Sequence, residues 1–116
     1  MDDTFAVTPA GARGSAVVVR VSGRIDAKTS SQLVEQCLAP CSPGSHLVLN
    51  LSAVTFLSSS GVGALMVLSE RTTAQSGSLR LVSLSPAASG PLKLLNLDRF
   101  LKIDESEDAA LGALGS

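Results

Sequence analysis

Apolar positions along the chain fall into short runs separated by glycine, proline and serine, and the runs differ in period. Thr4 to Ala10 alternates weakly; beyond a Gly11 to Gly14 turn, Ala16 to Val21 is rich in β-branched valine, so the two predict a hairpin. In the next stretch Leu33, Val34, Cys37 and Leu38 recur at helical spacing behind the candidate caps Thr29 and Ser30, predicting a first helix that ends at Pro40. A loop, Ser42 to Ser45, leads into His46 to Leu51, a short apolar run that reads as a fully buried strand, parallel to an earlier one. Ser52 to Leu57 reads as a linker. It delivers the chain to a second helix, with Val62, Leu65, Met66 and Ser69 on one face and Gly77 at the stop. Leu79 to Leu84 predicts a strand, Pro86 to Leu95 a helix with proline in its first turn, Leu101 to Ile103 an edge strand, and Ser106 to Leu114 a last helix. An opening hairpin followed by alternating strands and helices predicts an α/β fold: a mixed sheet of about five strands covered by about four helices.

Composition narrows the possibilities. The 116 residues are expected to form a single domain, 1–116, and with 45% hydrophobic and 16% charged residues they can bury one core. Nine basic against ten acidic residues give a net charge of -1, no footprint for a phosphate backbone, and the three aromatics offer no stacking surface for single strands. Direct nucleic-acid binding is not expected. No run approaches the roughly 20 apolar residues of a membrane span, and the acidic start MDDTFAV is unlike a signal peptide, so a cytoplasmic location is expected. Cys37 and Cys41 lie four apart with no second pair to complete a zinc site, and free thiols are expected; no cofactor is implied.

The most unusual local feature is Ser58-Ser59-Ser60-Gly61 at the start of the second helix. Two readings stand. A serine there can cap the unpaired N–H groups of the first turn. A phosphorylated serine would meet the same donors and add up to about two negative charges to a near-neutral surface. Gly61 and Gly63 would keep the first turn bare for a partner's approach. The pair Gly61 and Gly63 is not a dinucleotide fingerprint, since Met66 stands where the third glycine belongs.

The stretch LVLNLSAVTFLSSSGVGALM resembles the strand, linker and helix signature of the STAS family, with Phe56, Leu57, Ser59, Ser60, Gly61 and Gly63 on matching positions. Gly23, Ile25 and Asp26 match the family's Gly-x-Leu/Ile-Asp turn, so the resemblance covers nearly the whole chain. It implies a STAS-like fold and an anti-sigma factor antagonist. The family's phosphorylated serine falls on Ser59, with Ser60 as the runner-up. A partner surface is implied at Asp26, Ser58, Ser59, Ser60, Gly61 and Gly63, with Asp26 beside Ser59. Two family acids are replaced, by Ser58 and Asn50, positions that in the family lie near the phosphorylation site.

The resemblance implies a partner-switching circuit. The unphosphorylated chain would bind an anti-sigma factor with serine kinase activity and release its sigma factor; phosphorylation at Ser59 would break that complex, and a serine phosphatase would reset it. The alternative is a STAS-like interaction subunit of a transport or signalling complex, with no phospho-switch. An enzyme is not expected: the lone histidine, His46, starts a buried strand, and no Gly-x-Ser-x-Gly elbow surrounds a serine. The strip Leu92, Leu94, Leu95, Leu97 and Phe100 exceeds what one helical face needs, though core packing is its expected use.

Overall fold

A computed structural model describes residues 4–114. Its strands and helices follow in the order β1 (Ala6–Arg13), β2 (Ala16–Ile25), α1 (Ser30–Leu38), β3 (His46–Leu57), α2 (Ser59–Ala74), β4 (Ser78–Val82), α3 (Pro86–Leu94), β5 (Lys102–Asp104) and α4 (Glu107–Ala113), with a short 3-10 turn at Leu97–Arg99. The sheet has five strands in the order β1-β2-β3-β4-β5; β1 is antiparallel to β2 and all other pairs are parallel. This is the mixed sheet with an opening hairpin that the alternation of elements predicts.

Side-chain alternation divides the sheet into two faces. Val19, Val21, Leu47, Leu49, Leu51 and Leu81 point to one face, where they meet Leu33 and Cys37 of α1, Leu65 and Leu68 of α2, and Ala88 and Leu92 of α3. Ala16, Val18, Val48 and Val82 point to the other, where Ala110 and Leu111 of α4 and the following Leu114 pack on them. Three helices thus back the main core, and one short helix covers the opposite side.

Two predicted boundaries shift, and so does one helical face. The first turn contracts to Gly14 and Ser15, with Gly14 at φ +59 in a tight hairpin, because Gly11 to Arg13 continue β1 beyond a bulge between Pro9 and Gly11. The expected linker Ser52 to Leu57 is instead the second half of β3. Opposite β2, the register slips between Arg20 and Ser22 and again between Gly23 and Arg24, and each slip gives β3 one extra residue. The inward residues of β3 are therefore Leu47, Leu49, Leu51, Val54 and Leu57, spaced by two and then by three, which hides the strand from a period-two reading. In α2 the buried face is Val62, Leu65, Leu68 and Thr72, so Met66 and Ser69 lie at its margin.

Asn50 occupies the middle of β3, opposite Arg20 and Val82. Its amide donates to Glu107 Oε2 at 2.7 Å, and Arg20 clasps the same carboxylate through Nε at 2.9 Å and Nη2 at 3.0 Å. It therefore belongs to the anchoring of α4. Seven residues of strand, on the order of 20 Å, separate it from the end of β3, so the expectation that it lies near the serines is corrected.

Arg20's hydrogen bonds, opposed by partial burial and supported by Asn50, hold the Glu107 carboxyl below the usual carboxylate range. A carboxyl lowered on folding contributes stability that is fully present above its unfolded value and is lost as pH falls through the folded one. Thermal melts against pH are accordingly expected to show Glu107→Gln less stable than the parent at neutral pH. The two curves should converge as the pH falls from about 5 to about 3.

Candidate functional site

The carboxyl-terminal ends of β2 and β3 pair as Arg24 opposite Phe56 and Ile25 opposite Leu57. Ile25 and Leu57 are buried, and one residue later both chains turn away from the sheet. Ser58 N–H donates to the Ile25 carbonyl at 2.9 Å, carrying the strand pairing one step further before α2 begins. Gly23 sits in this bulged end at φ +85, a conformation that side chains other than glycine's rarely tolerate.

After Ile25, the segment from Asp26 to Ser30 is a turn organised by two side chains. Asp26 Oδ1 accepts from Lys28 N–H at 2.9 Å and from Thr29 N–H at 3.2 Å. Thr29 Oγ1 accepts from Asp26 N–H at 2.9 Å and donates to the Arg24 carbonyl at 2.9 Å. Thr29 occupies the N-cap position of α1, but its hydroxyl serves this turn and makes no capping bond to the helix. Burial pushes the Asp26 carboxyl upward, but the N–H groups of Lys28 and Thr29, the Thr29 hydroxyl and the Arg24 charge outweigh it, leaving a net downward shift. Asp26 is therefore an ionised turn residue whose second oxygen, Oδ2, faces Arg24 Nε at 3.9 Å.

After Leu57, Ser58 is the N-cap of α2, with extended backbone and Oγ accepting from Gly61 N–H at 3.2 Å. Ser59 and Ser60 are the first two residues of the helix and are exposed. The cap reading of the serine run is met by Ser58, while Ser59 and Ser60 are exposed residues of the first turn. The structure brings Asp26 and all three serines to one end of the β2–β3 pair.

The two glycines divide. Gly63 is exposed, and a Cβ added there would meet nothing within 4 Å, so it leaves the surface bare as expected. Gly61 is buried; a Cβ there would lie 2.6 Å from Leu57 Cδ1 and 2.8 Å from both Ile25 Cγ2 and the Ile25 carbonyl oxygen. Its expected role in opening the surface is corrected. The absent side chain lets α2 pack directly on the last strand pair.

One feature of this end escaped the sequence reading. Arg24 lies over the Phe56 ring with its guanidinium carbon 4.2 Å from the ring centroid, a cation–π pair with Asp26 Oδ2 3.9 Å from Arg24 Nε. Both residues are exposed, Phe56 at 38%. The available signal was positional: each stands one residue before the buried aliphatic that ends its strand.

Elsewhere, His46 Nδ1 lies 2.8 Å from Ser78 Oγ at the opposite end of β3. Cys37 and Cys41 are free thiols. Burial and the neighbouring Cys41 push Cys37 up to about 12, and burial raises Cys41, so neither has the character of an activated nucleophile. Among the described residues no group of three or more His, Cys, Asp or Glu could hold a metal ion, and no helix is long and apolar enough to cross a membrane. Of the apolar strip, Leu92 is buried, whereas Leu94, Leu95 and Phe100 are exposed at 83%, 52% and 73%, correcting the expectation of core packing for those three.

The family model described as STAS domain matches residues 9–110. The chain belongs to the STAS-domain family. An anti-sigma factor antagonist from Mycobacterium paratuberculosis shares the STAS fold with a TM-score of 0.80 and 30% identity, over 100% of this chain and 98% of that one. SpoIIAA, an anti-sigma factor antagonist, matches in its unphosphorylated form with a TM-score of 0.75 and 20% identity, over 96% of this chain and 98% of that one. The phosphorylated form of SpoIIAA from Bacillus matches at 0.67 and 19%, over 94% and 99%. At these identities the SpoIIAA likeness concerns the fold.

The packing at Gly61 is directly testable. Gly61→Ala is expected to destabilise the STAS domain by about 1–3 kcal/mol, since a methyl group there must displace Ile25 or Leu57. Gly63→Ala should be neutral or stabilising by up to about 1 kcal/mol. Midpoints of urea unfolding measure both.

Proposed function

We propose that this STAS domain is an anti-sigma factor antagonist in a partner-switching circuit. Its unphosphorylated form binds an anti-sigma factor with serine kinase activity and thereby frees the sigma factor. Binding uses the end of the β2–β3 pair, where Asp26, Ser58, Ser59, Ser60 and Gly63 gather, with Gly61 holding the helix in place beneath them.

The observation that carries this reading is the division of labour in the serine run. Ser58 Oγ is engaged as the α2 cap, which leaves the neighbouring Ser59 hydroxyl exposed on a rigid helical turn. Phosphoryl transfer would form a bond between Ser59 Oγ and the γ-phosphorus of ATP and break that phosphorus's bond to ADP. The hydroxyl proton would leave to a base of the kinase, which also brings ATP and magnesium. The product carries up to about two new negative charges beside the ionised Asp26. Charge of that size, set into a packed interface, opposes partner binding through desolvation and repulsion. A serine phosphatase restores the hydroxyl.

The test is to incubate the chain with ATP, magnesium and its candidate partner kinase and to locate any phosphate by mass spectrometry in the parent, Ser59→Ala and Ser60→Ala. Modification is expected to vanish with Ser59→Ala, to persist with Ser60→Ala, and to weaken binding of the kinase. No modification, with binding intact in all three, would replace the switch with a STAS interaction module that binds without it.

A further inference from the structure

The carboxyl-terminal ends of α1 and α2, together with the loop that follows α1, enclose a cleft of about 210 Å³. Leu38 and Cys41, both half-buried, and Pro43 supply its apolar lining, and the exposed Arg71 and Gln75 supply long polar side chains. Ser59 opens α2 and Arg71 stands in its last turn, about 18 Å further along the helix, so the cleft is separate from the serine run.

Hydrogen bonding in the cleft is one-sided. The backbone acceptors of its lining are engaged: the Leu38 carbonyl accepts from Cys41 N–H at 2.9 Å, Ser42 from Ser45 at 2.9 Å, Thr72 from Gly77 at 2.8 Å and Gln75 from Gly44 at 2.7 Å. Thr72 Oγ1 donates to the Leu68 carbonyl at 2.8 Å, and Ser45 Oγ accepts from Ser42 N–H at 2.9 Å. Among the described residues, by contrast, the side chains of Arg71 and Gln75 have no protein partner. Glu35 lines an adjoining hollow with Arg71, yet no ion pair joins the two. The unmet capacity is a whole guanidinium and an amide NH2 group against a single amide oxygen, which selects a ligand rich in acceptors. The carbonyl ends of the two helices lean the other way, towards a cation, but their partial charges are already hydrogen-bonded, whereas the guanidinium carries a full charge.

We propose that this cleft binds a small organic carboxylate, with its apolar body against Leu38, Cys41 and Pro43 and its carboxylate paired with Arg71 beside the Gln75 amide. Size sets the class of body. An apolar cavity of about 150 Å³ holds a benzene ring. The larger cleft here admits a single ring carrying a short acid arm. Planar, forked donors suit a carboxylate, which can accept from two N–H groups at once.

The test titrates phenylacetate into the nitrogen-15-labelled full chain and follows amide shifts, with phenylacetamide as the neutral isostere and phenethylamine as the cation of similar shape. Phenylacetate is expected to give saturable shifts centred on residues 38–45 and 71–77. Phenylacetamide should bind about tenfold more weakly or worse, Arg71→Gln should weaken phenylacetate by a similar factor, and phenethylamine should give no saturable shift. Arg99→Gln, which removes a cation outside the cleft, and Ser59→Ala should both bind phenylacetate as the parent does. No saturable shift with phenylacetate, an unchanged affinity in Arg71→Gln, or equal binding of phenethylamine would overturn the proposal. None of these outcomes bears on phosphorylation of Ser59.

Discussion

The direct contact of Gly61 with Ile25 and Leu57 is the constraint on which the functional end depends. With Ile25 Cγ2 and the Ile25 carbonyl each 2.8 Å from where a Cβ would sit, α2 has no room for a side chain and lies against the last strand pair. That closeness lets Ser58 donate to the Ile25 carbonyl while its hydroxyl caps the helix. In consequence Ser59 begins the helix at a fixed place beside the Asp26 turn. A loose junction would leave the same hydroxyls on a mobile loop, where a charge added to one of them would have no defined neighbours.

Two bulges supply the rest of the geometry. Gly23 at φ +85 and the extra residues of β3 let two strands of unequal length end together, so that Arg24 meets Phe56 and Ile25 meets Leu57. At the far side of the sheet, the Arg20, Asn50 and Glu107 cluster anchors α4 and leaves the β2–β3 end clear. The exposed Leu94, Leu95 and Phe100 lie elsewhere, at the end of α3 and just beyond it. Under the proposed function, a partner that senses Ser59 would engage the β2–β3 end.

Much of this was legible from residue spacing. The valine run of β2, the helical spacing of apolar positions in α1 and the proline and serine punctuation gave the element order, and the match of Phe56 to Gly63 with the STAS signature located the serine run. The second half of β3 was not legible, because bulges replace the period of two by a period of three at Leu51, Val54 and Leu57. Gly61 and Gly63 look alike in sequence; only their orientation on the helix separates a packing requirement from an open surface. The Arg24–Phe56 stack was hidden for a related reason: it joins residues 32 positions apart, and its pairing depends on the bulged register.

The measurement closest to the central claim is the footprint of the candidate anti-sigma kinase on this chain, mapped by amide chemical-shift changes in nitrogen-15-labelled protein. Binding through the junction of β2, β3 and α2 predicts the largest changes at residues 24–30 and 56–67, with Leu94 to Ile103 unaffected. A footprint confined to Leu94, Leu95, Phe100 and Ile103 would contradict it, and would place recognition on a surface that the state of Ser59 does not touch.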